Sequence, residues 1–300
     1  MKTSTYLRRY WQLYFLLMLP LAYFAIFKYG PMYGVQIAFK DFNFFQGING
    51  SEWIGWDAFR EVFQNQDFYR TLRNTLMLNI LDLIVSFPAP LILAIMLYEV
   101  KAVWFKKLSQ TILYIPHFIS WVIIGGIVYQ VFGTQSGFIN NLWVSFGFQP
   151  IPFLTDPNYW LITYLLTGVW QSAGWGTILY LAALTGINKE LYEAAEVDGA
   201  GRMKRIWHIT LPGLRPTIIT LLIINLGNMV TIGFERPFVI GNVAVQEYSD
   251  VLSTFVYRIG LESGQYTLAT VVGLFQAVVG LIFVLGANLA AKKTTGEGIL

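Results

Sequence analysis

Cysteine is absent from this 300-residue chain, and charged side chains are scarce. The missing cysteines exclude disulfides, thiolate zinc sites and cysteine nucleophiles. Charged residues make up 12% of the chain, which is about half of the fraction that is usual for a soluble globular domain. A soluble domain needs charge to cover its surface, and this chain has too little of it. The composition therefore indicates a membrane protein.

The sequence also lacks the motifs of common nucleotide and metal sites. It has no G-x-x-x-x-G-K-[ST] loop, and its glycine- and lysine-containing stretch GAGRMKR (199–205) does not have that spacing. Its two histidines, His117 and His208, are too far apart in sequence for an H-E-x-x-H zinc site. No arrangement of nucleophile and base stands out either. We therefore expect no metal, no cofactor and no enzymatic activity in this chain.

Long apolar runs and aromatic residues are what the chain has in abundance. Hydrophobic residues form 55% and aromatic residues 17% of it, as suits a protein that lines two membrane interfaces. A transmembrane helix needs about 20 mostly apolar residues. Six stretches qualify: 11–28, 75–98, 109–132, 160–184, 214–234 and 267–290. We predict an all-α integral membrane protein with six transmembrane helices. The first stretch is read as a retained anchor because no signal-peptide cleavage site follows it.

The distribution of Lys and Arg predicts the orientation of these spans. With the N-terminus inside, the inner segments hold 13 of the 20 Lys and Arg, the outer segments hold six, and Lys28 lies at a span end. Positive residues concentrate on the cytoplasmic side of a membrane protein. We therefore predict that both termini are cytoplasmic. The outer segment before the second span, with Phe59, Val62 and Phe63 on one side, is predicted to form an amphipathic helix at the interface.

Two features inside the spans leave alternatives open. Asp82 is a carboxylate within the second span, where such groups are functional candidates, but no basic partner is evident and a structural role is the alternative. Gly168, Ser172 and Gly176 recur every four residues, as do Ala269, Gly273 and Ala277. Such faces allow helices to approach closely. They could pack within one bundle or against a second membrane subunit.

A charged segment, EAAEVDGAGRMKRIWHITLPGLRP (193–216), separates the fourth and fifth predicted spans. Asn188 is suited to cap a helix that begins KELYEAAE, and the DGAG run should end it because glycine tolerates unusual backbone angles. A short basic helix should follow, before prolines at 212 and 216 lead into the fifth span. The pattern predicts an amphipathic helix on the cytoplasmic side, of the kind that docks in a groove on a soluble partner.

This segment resembles the EAA loop of the membrane subunits of binding-protein-dependent ABC importers. The family pattern is EAA, three residues, Gly, nine residues, Ile, one residue and Leu-Pro, and every spacing is matched here. The matching residues are Glu193, Ala194, Ala195, Gly199, Ile209, Leu211 and Pro212, with Asp198 directly before the glycine. The stretches FREVFQNQDFYRTLRNTL, YIPHFISWVIIGG and KKTTGEG are similar to sugar and polysaccharide permeases of this family. We refer to residues 188–216 as the EAA loop.

The resemblance implies a type I ABC importer permease fold, with an N-terminal anchor and extracellular segment (1–70), a permease domain (71–290) and a cytoplasmic tail (291–300). It implies that the EAA loop docks on an ATPase subunit through Glu193, with Gly199 making the bend. The implied partners are a second permease, an ATPase dimer that binds the ATP, an extracellular solute-binding lipoprotein, a sugar or oligosaccharide, and membrane lipid. No nucleic acid is expected. The location would be the bacterial plasma membrane.

The main competing class is a secondary transporter that is coupled to an ion gradient. Such a protein would need midplane carboxylates or broken helices in paired positions, and Asp82 alone gives little support. For a sugar path, the candidates are polar and aromatic residues within the fourth and fifth spans: Trp170, Gln171, Trp175, Asn225 and Asn228. Each could instead be a packing or interfacial residue.

Overall fold

The computed structural model describes residues 9–295, and this part of the chain is largely helical. Its one sheet consists of two short antiparallel strands, β1 (Lys40–Asp41) and β2 (Glu52–Trp53). The predicted all-α class is confirmed. Two of the predicted inner positive residues, Lys2 and Arg8, lie outside the described residues. The last five residues of the predicted tail also lie outside them.

Sixteen α-helices follow one another in this range, several of them extended by a stretch of 3₁₀- or π-helix. They are α1 (Trp11–Phe24), α2 (Gly47–Gly50), α3 (Asp57–Gln64), α4 (Gln66–Val85), α5 (Pro88–Glu99), α6 (Val103–Tyr114), α7 (Trp121–Phe132), α8 (Phe138–Ser145), α9 (Pro157–Thr185), α10 (Lys189–Val197), α11 (Arg202–Arg205), α12 (Leu211–Gly227), α13 (Glu235–Ile240), α14 (Gln246–Ser249), α15 (Leu252–Tyr257) and α16 (Tyr266–Thr295). The chain forms two compact units, one of residues 9–65 with 256–275 and one of residues 66–255 with 276–295.

In the first unit, the apolar helix α1 is followed along the chain by a cluster of aromatic side chains. The Phe39 ring stacks on Trp53 at 5.6 Å and contacts Phe59 of α3 at 5.2 Å. The Thr267 hydroxyl donates to the carbonyl of Lys40 at 2.8 Å. The predicted amphipathic helix therefore exists as α3, and part of its apolar side packs on protein rather than lying only at an interface.

The third predicted span, 109–132, is wrong as a single helix. It is divided into α6, continued by a 3₁₀ turn to Phe118, and α7, and the two parts meet at 103°. Pro116 has no backbone N–H to donate and cannot continue an α-helix without strain. Ser120 then caps α7, because its hydroxyl oxygen accepts from the backbone N–H of Ile123 at 3.4 Å.

Two further predicted spans, 75–98 and 214–234, are also interrupted. The former begins earlier, at Gln66, and breaks after Val85, where Pro88 starts the new helix α5. The latter ends its helix α12 at Gly227 and continues as irregular chain to α13. Broken backbone at membrane depth must find other hydrogen-bond partners. Here the Asn79 amide donates to the carbonyl of Met229 at 2.7 Å, and the Gln276 amide donates to that of Val230 at 3.1 Å.

Four helical segments of the described chain are long and apolar enough to cross a bilayer, and the bent α6–α7 pair would make a fifth. They are Trp11–Phe39, Gln66–Glu99, Arg202–Gly227 and Tyr266–Lys293. The helix α9 has 29 residues, which is long enough, but it is not as apolar as these segments. Several of its hydroxyls bond to its own backbone, as Thr167 does to the carbonyl of Thr163 at 2.7 Å. The predicted count of six therefore stays a prediction.

The core of the second unit joins α4, α7, α9 and α13. Leu78, Ile124, Tyr164 and Ile240 are fully buried in one cluster. The indole N–H of buried Trp160 donates to the carbonyl of Ile240 at 3.1 Å. This contact fixes the short helix α13 against the long helix α9, and it thereby fixes the position of the irregular segment before α13.

Candidate functional site

The EAA loop begins with the capped helix that the sequence predicts. The Asn188 side chain accepts from the backbone N–H of Glu190 at 3.0 Å, and Glu190 lies in the first turn of α10. Both features favour the N-terminal end of a helix. The helix ends at Val197, with Asp198 as its C-terminal cap. The prediction of a separate helix at the start of this loop is confirmed.

The bend after α10 is made by Gly199, as predicted. Its φ is +71°, in the left-handed region that favours glycine. The backbone N–H of Ala200 bonds to the carbonyl of Ala195 at 2.8 Å, and that of Gly199 bonds to Glu196 at 3.1 Å. This pair of bonds is the Schellman arrangement that commonly ends a helix. The chain then turns into α11, which runs through a π-helical turn into α12.

Three polar contacts hold the loop in place: two lie within it and one joins it to the helical bundle. The hydroxyls of Tyr192 and Thr210 lie 3.0 Å apart and form a hydrogen bond. Arg202 Nε lies 3.1 Å from a carboxylate oxygen of Glu99, the last residue of α5. A weaker ion pair at 3.4 Å joins Arg205 to Glu196 within the loop. The loop is thus held together internally and is tied to the end of α5.

The remaining surface of the loop is exposed and mixes charge with apolar groups. Glu193 and Ala194 are exposed on α10, and Ala195 is half-buried. The apolar side chains of Leu191, Val197, Met203 and Trp207 are also exposed. Ile209 and Leu211 are half-buried, and Pro212 lies in the first turn of α12. Of the motif residues, Glu193, Ala194, Gly199 and Pro212 are therefore exposed, whereas Ala195, Ile209 and Leu211 are half-buried.

A cavity of about 360 Å³ opens in the second unit. Its lining residues are Asn79, Asp82, Leu83, Ser86, Phe87, Pro90, His117, Ser172, Trp175, Gly176, Leu179, Tyr180, Leu221, Asn225, Asn228, Met229 and Arg236. This cavity is lined by the half of α9 that leads to the EAA loop. We therefore call it the loop-side cavity. It combines aromatic rings, amides and hydroxyls, which is the chemistry that binds polyhydroxylated ligands.

Asp82 and Arg236 are the charged residues of the loop-side cavity, and they pair. Arg236 Nη1 and Nη2 donate to the two carboxylate oxygens of Asp82 at 2.8 and 3.3 Å. The same guanidinium donates to the carbonyl of Tyr164 and lies 3.7 Å from the centre of its ring. The side chains are 22% and 13% exposed, respectively. The carboxylate that lacked an evident partner in the sequence is therefore neutralised.

Three of the five residues predicted for a sugar path line the loop-side cavity: Trp175, Asn225 and Asn228. The Trp175 ring stacks on His117 at 4.6 Å with an interplanar angle of 6°. The amide of Asn225 donates to the carbonyl of Leu221 at 2.8 Å. Trp170 and Gln171 are on α9 but are not among the lining residues.

Sequence reasoning missed Arg236 as a cavity residue, because the residue had been placed in an outer segment. It is separated from Asp82 by 154 positions, and no motif joins the two. The one available signal was the lone intramembrane carboxylate itself, since such a group in a membrane bundle usually has a partner. The contacts of Tyr192 with Thr210 and of Arg202 with Glu99 were missed as well, because no motif joins these partners.

The described chain thus combines apolar helices with a polar cavity and an exposed, bent helical loop. The chain belongs to the family described as binding-protein-dependent transport system inner membrane component, which matches residues 68–295. It is a transport permease and not an enzyme. The family assignment excludes the alternative of an ion-coupled secondary transporter.

Two curated relatives match nearly the whole length of this chain. Protein LplB of Bacillus subtilis (strain 168) is 48% identical over 96% of this chain and 90% of the relative. The polygalacturonan/rhamnogalacturonan transport system permease protein YteP of the same organism is 45% identical over 96% and 89%.

Solved structures confirm the fold. A chain from the crystal structure of a bacterial ABC transporter involved in the import of the acidic polysaccharide alginate is 41% identical, with a TM-score of 0.89 over 98% of this chain and 100% of that one. A chain from the bacterial alginate ABC transporter in complex with alginate pentasaccharide-bound periplasmic protein is 40% identical, with a TM-score of 0.90 over 100% of both. The predicted ABC permease fold is therefore confirmed, whereas the number of spans is not.

Proposed function

We propose that this chain forms one half of the translocation pathway of a bacterial ABC importer for a sugar or an oligo- or polysaccharide. The observation that carries the proposal is the EAA loop, which presents an exposed, bent helix on a bundle that also contains a cavity with aromatic and amide walls. The names of similar proteins support a carbohydrate substrate, since they specify polygalacturonan, arabinooligosaccharides and alginate.

The importer needs further subunits, which we propose to be a second permease, an ATPase dimer and an extracellular solute-binding lipoprotein. One similar solved structure includes a periplasmic protein with bound pentasaccharide, which supports the last of these. ATP binds to the ATPase dimer, so this chain needs no cofactor of its own.

In the assembled importer, α10 docks in a groove of the ATPase. Glu193 offers a carboxylate to the ATPase, and Ala194 and Ala195 allow close approach. Gly199 fixes the angle at which α10 leaves the bundle. The ion pair of Arg202 with Glu99 at 3.1 Å would transmit a displacement of the loop to α5, whose first turn lines the loop-side cavity at Pro90.

We propose six transmembrane spans in the bacterial plasma membrane, with both termini in the cytoplasm. The fourth span is α9, whose 29 residues extend about 43 Å at the usual rise of an α-helix, enough to cross the bilayer core of about 30 Å. The hydroxyls of Thr163, Thr167 and Ser172 bond to its own carbonyls, so these groups do not need water.

The sugar path within this chain runs along the loop-side cavity. Trp175 provides an aromatic face, and Asn225 and Asn228 provide amides that can bond to sugar hydroxyls. Trp170 and Gln171 stay candidates for a wider path that the second permease completes, because α9 carries them one to two turns before Trp175.

Reconstitution tests this function directly. The chain is placed in proteoliposomes with its candidate permease partner, ATPase and binding protein, and uptake of labelled saccharide is measured with and without internal ATP. We expect uptake that requires ATP and every subunit, and no ATP hydrolysis by this chain alone. Uptake driven by an ion gradient without ATP would contradict the proposal, as would ATP hydrolysis by the isolated chain.

A further inference from the structure

Two cavities of the second unit share three lining residues. The second cavity, of about 470 Å³, is lined by Asn79, Asp82, Trp121, Tyr164, Thr231, Ile232, Gly233, Phe234, Glu235 and Arg236. Asn79, Asp82 and Arg236 also line the loop-side cavity. We call the second one the distal cavity, because it lies farther from the EAA loop than the first. The ion pair of Asp82 with Arg236 therefore lies where the two cavities meet.

The two cavities follow each other along the direction that leads away from the EAA loop. On α9, which runs toward the loop, Tyr164 lines the distal cavity, and Ser172 and Tyr180, which come later, line the loop-side cavity. After the loop the order reverses. On α12 and the chain that follows it, Leu221 comes first and lines the loop-side cavity, whereas Thr231 comes later and lines the distal one.

The chain next to the shared residues is irregular, and side chains hold it in place. The irregular segment 228–234, between α12 and α13, is held by the amides of Asn79 at 2.7 Å and Gln276 at 3.1 Å. Directly beyond it, Arg236 is held by both oxygens of Asp82. These are few, reversible polar contacts between rigid helices, and a broken segment of this kind can move without unfolding a helix.

We propose that the Asp82–Arg236 ion pair is a gate that separates the distal cavity from the loop-side cavity in the resting importer. The inference rests on the proposed function, because a gate has meaning only in a transport pathway. Asp82 and Arg236 are positioning residues in it: when they are paired, they hold α13 against α4, and when they part, the two cavities become continuous. The carboxylate then becomes free to bond to a polyhydroxylated substrate, whereas the guanidinium keeps its contact with the carbonyl of Tyr164.

Cysteine accessibility tests the gate, since the natural chain has no cysteine. Thr231→Cys reports on the distal cavity, and Ser172→Cys reports on the loop-side cavity. Each reporter is placed in the complete importer in right-side-out vesicles without ATP, and the rate of labelling by a membrane-impermeant methanethiosulfonate is measured. We expect fast labelling of the first reporter. With the pair intact, labelling of the second should be slower by about tenfold or more, within the range of about 5–150-fold that coupled equilibria show.

Removal of the pair should abolish this difference. In the Asp82→Asn background we expect the Ser172→Cys rate to rise about tenfold, with Thr231→Cys unchanged, whereas Asp82→Glu, which keeps the charge, should leave both rates near those of the intact pair. Asp57→Asn is the matched control, because it removes an ion pair of exposed side chains, with Arg60 at 3.1 Å, and should change neither rate.

The proposal is wrong if Ser172→Cys labels as fast as Thr231→Cys with the pair intact, or stays slow in an assembled Asp82→Asn complex. If Asp82→Asn does not assemble, Arg236→Lys takes its place, because it keeps the cation but loses the two-pronged contact. Failure of both to assemble would show that the pair is needed for folding, which also overturns a gate. Labelling needs no transported sugar, so saccharide uptake by the unmodified importer tests the proposed function separately.

Discussion

Gly199 shows how a single residue determines the geometry of the EAA loop. Its φ of +71° lies where a side chain strains the backbone, and a Cβ there would meet no neighbouring atom within 4 Å. The requirement for glycine is therefore conformational and not a matter of space. A substitution would change the direction in which α10 leaves the bundle, with no effect on core packing.

We expect Gly199→Val to abolish saccharide uptake while the protein still reaches the membrane. A β-branched residue at positive φ costs about 1–3 kcal/mol, which is as large as typical coupling energies of about 1–3 kcal/mol. Gly201→Val is the matched control, since Gly201 has φ −65° and ψ 165°, which valine adopts readily. Transport and membrane content are measured for both. Equal uptake by the two variants would contradict a role for the bend.

Glu193 is the exposed carboxylate that we expect to contact the ATPase. Glu193→Lys reverses the charge at this contact, so retention of the ATPase during purification should fall about 5- to 150-fold and uptake should be lost. Glu61→Lys makes the same charge reversal at another exposed glutamate and should affect neither. Normal co-purification of the ATPase with the Glu193 variant would show that this side chain is merely solvated.

At the scale of single residues, the sequence predicted local features well and distant partners poorly. The Asn188 cap and the positive φ of Gly199 follow from neighbours within a few positions, so propensity was sufficient. The partnership of Asp82 with Arg236 depends on how α4 and α13 pack, and nothing near either residue encodes it. The same holds for Arg202 and Glu99. Contacts across a bundle are a property of the assembled fold.

At the scale of elements, predicted apolar runs located the helices but not their breaks. The run 109–132 contains Pro116 and yet reads as one span by hydropathy, because a bend of 103° changes no side chain's polarity. Glycine stripes were a partial guide to close packing. A Cβ on Gly168 would collide with Arg236, and one on Gly176 would collide with Pro90. Gly273 of the other stripe has open space around it.

A closer approach than at either of these glycines lies outside the predicted stripes, at Gly174 of α9. A Cβ there would overlap the backbone carbonyl of Leu113 on α6, which cannot move aside as a side chain could. We expect Gly174→Ala to destabilise the protein by about 1–3 kcal/mol, seen as a lower thermal transition of the purified complex. Gly126→Ala on α7 is the control, because its Cβ would meet nothing within 4 Å. An unchanged transition for Gly174→Ala would contradict this packing.

At the scale of the whole molecule, composition and charge gave the class of protein, whereas the span count depends on how α9 is assigned. Its apolarity is insufficient by hydropathy alone. Its hydroxyls, however, bond to its own carbonyls, and its polar side includes residues of the loop-side cavity. If α9 is the fourth of six spans, the EAA loop and both termini lie on one side, and the segment 146–152 before α9 lies on the other.

Reporter fusions distinguish these arrangements. With six spans, a reporter that is active only in the cytoplasm should work when fused after Leu300 or inserted after Gly201, and should be inactive when inserted after Gly147. The expected pattern follows from the 13 Lys and Arg of the inner segments against six of the outer ones. A reporter that requires export provides the reciprocal control and should be active only at Gly147. Cytoplasmic activity at both Gly147 and Gly201 would show that α9 does not cross the membrane, because these two positions flank it.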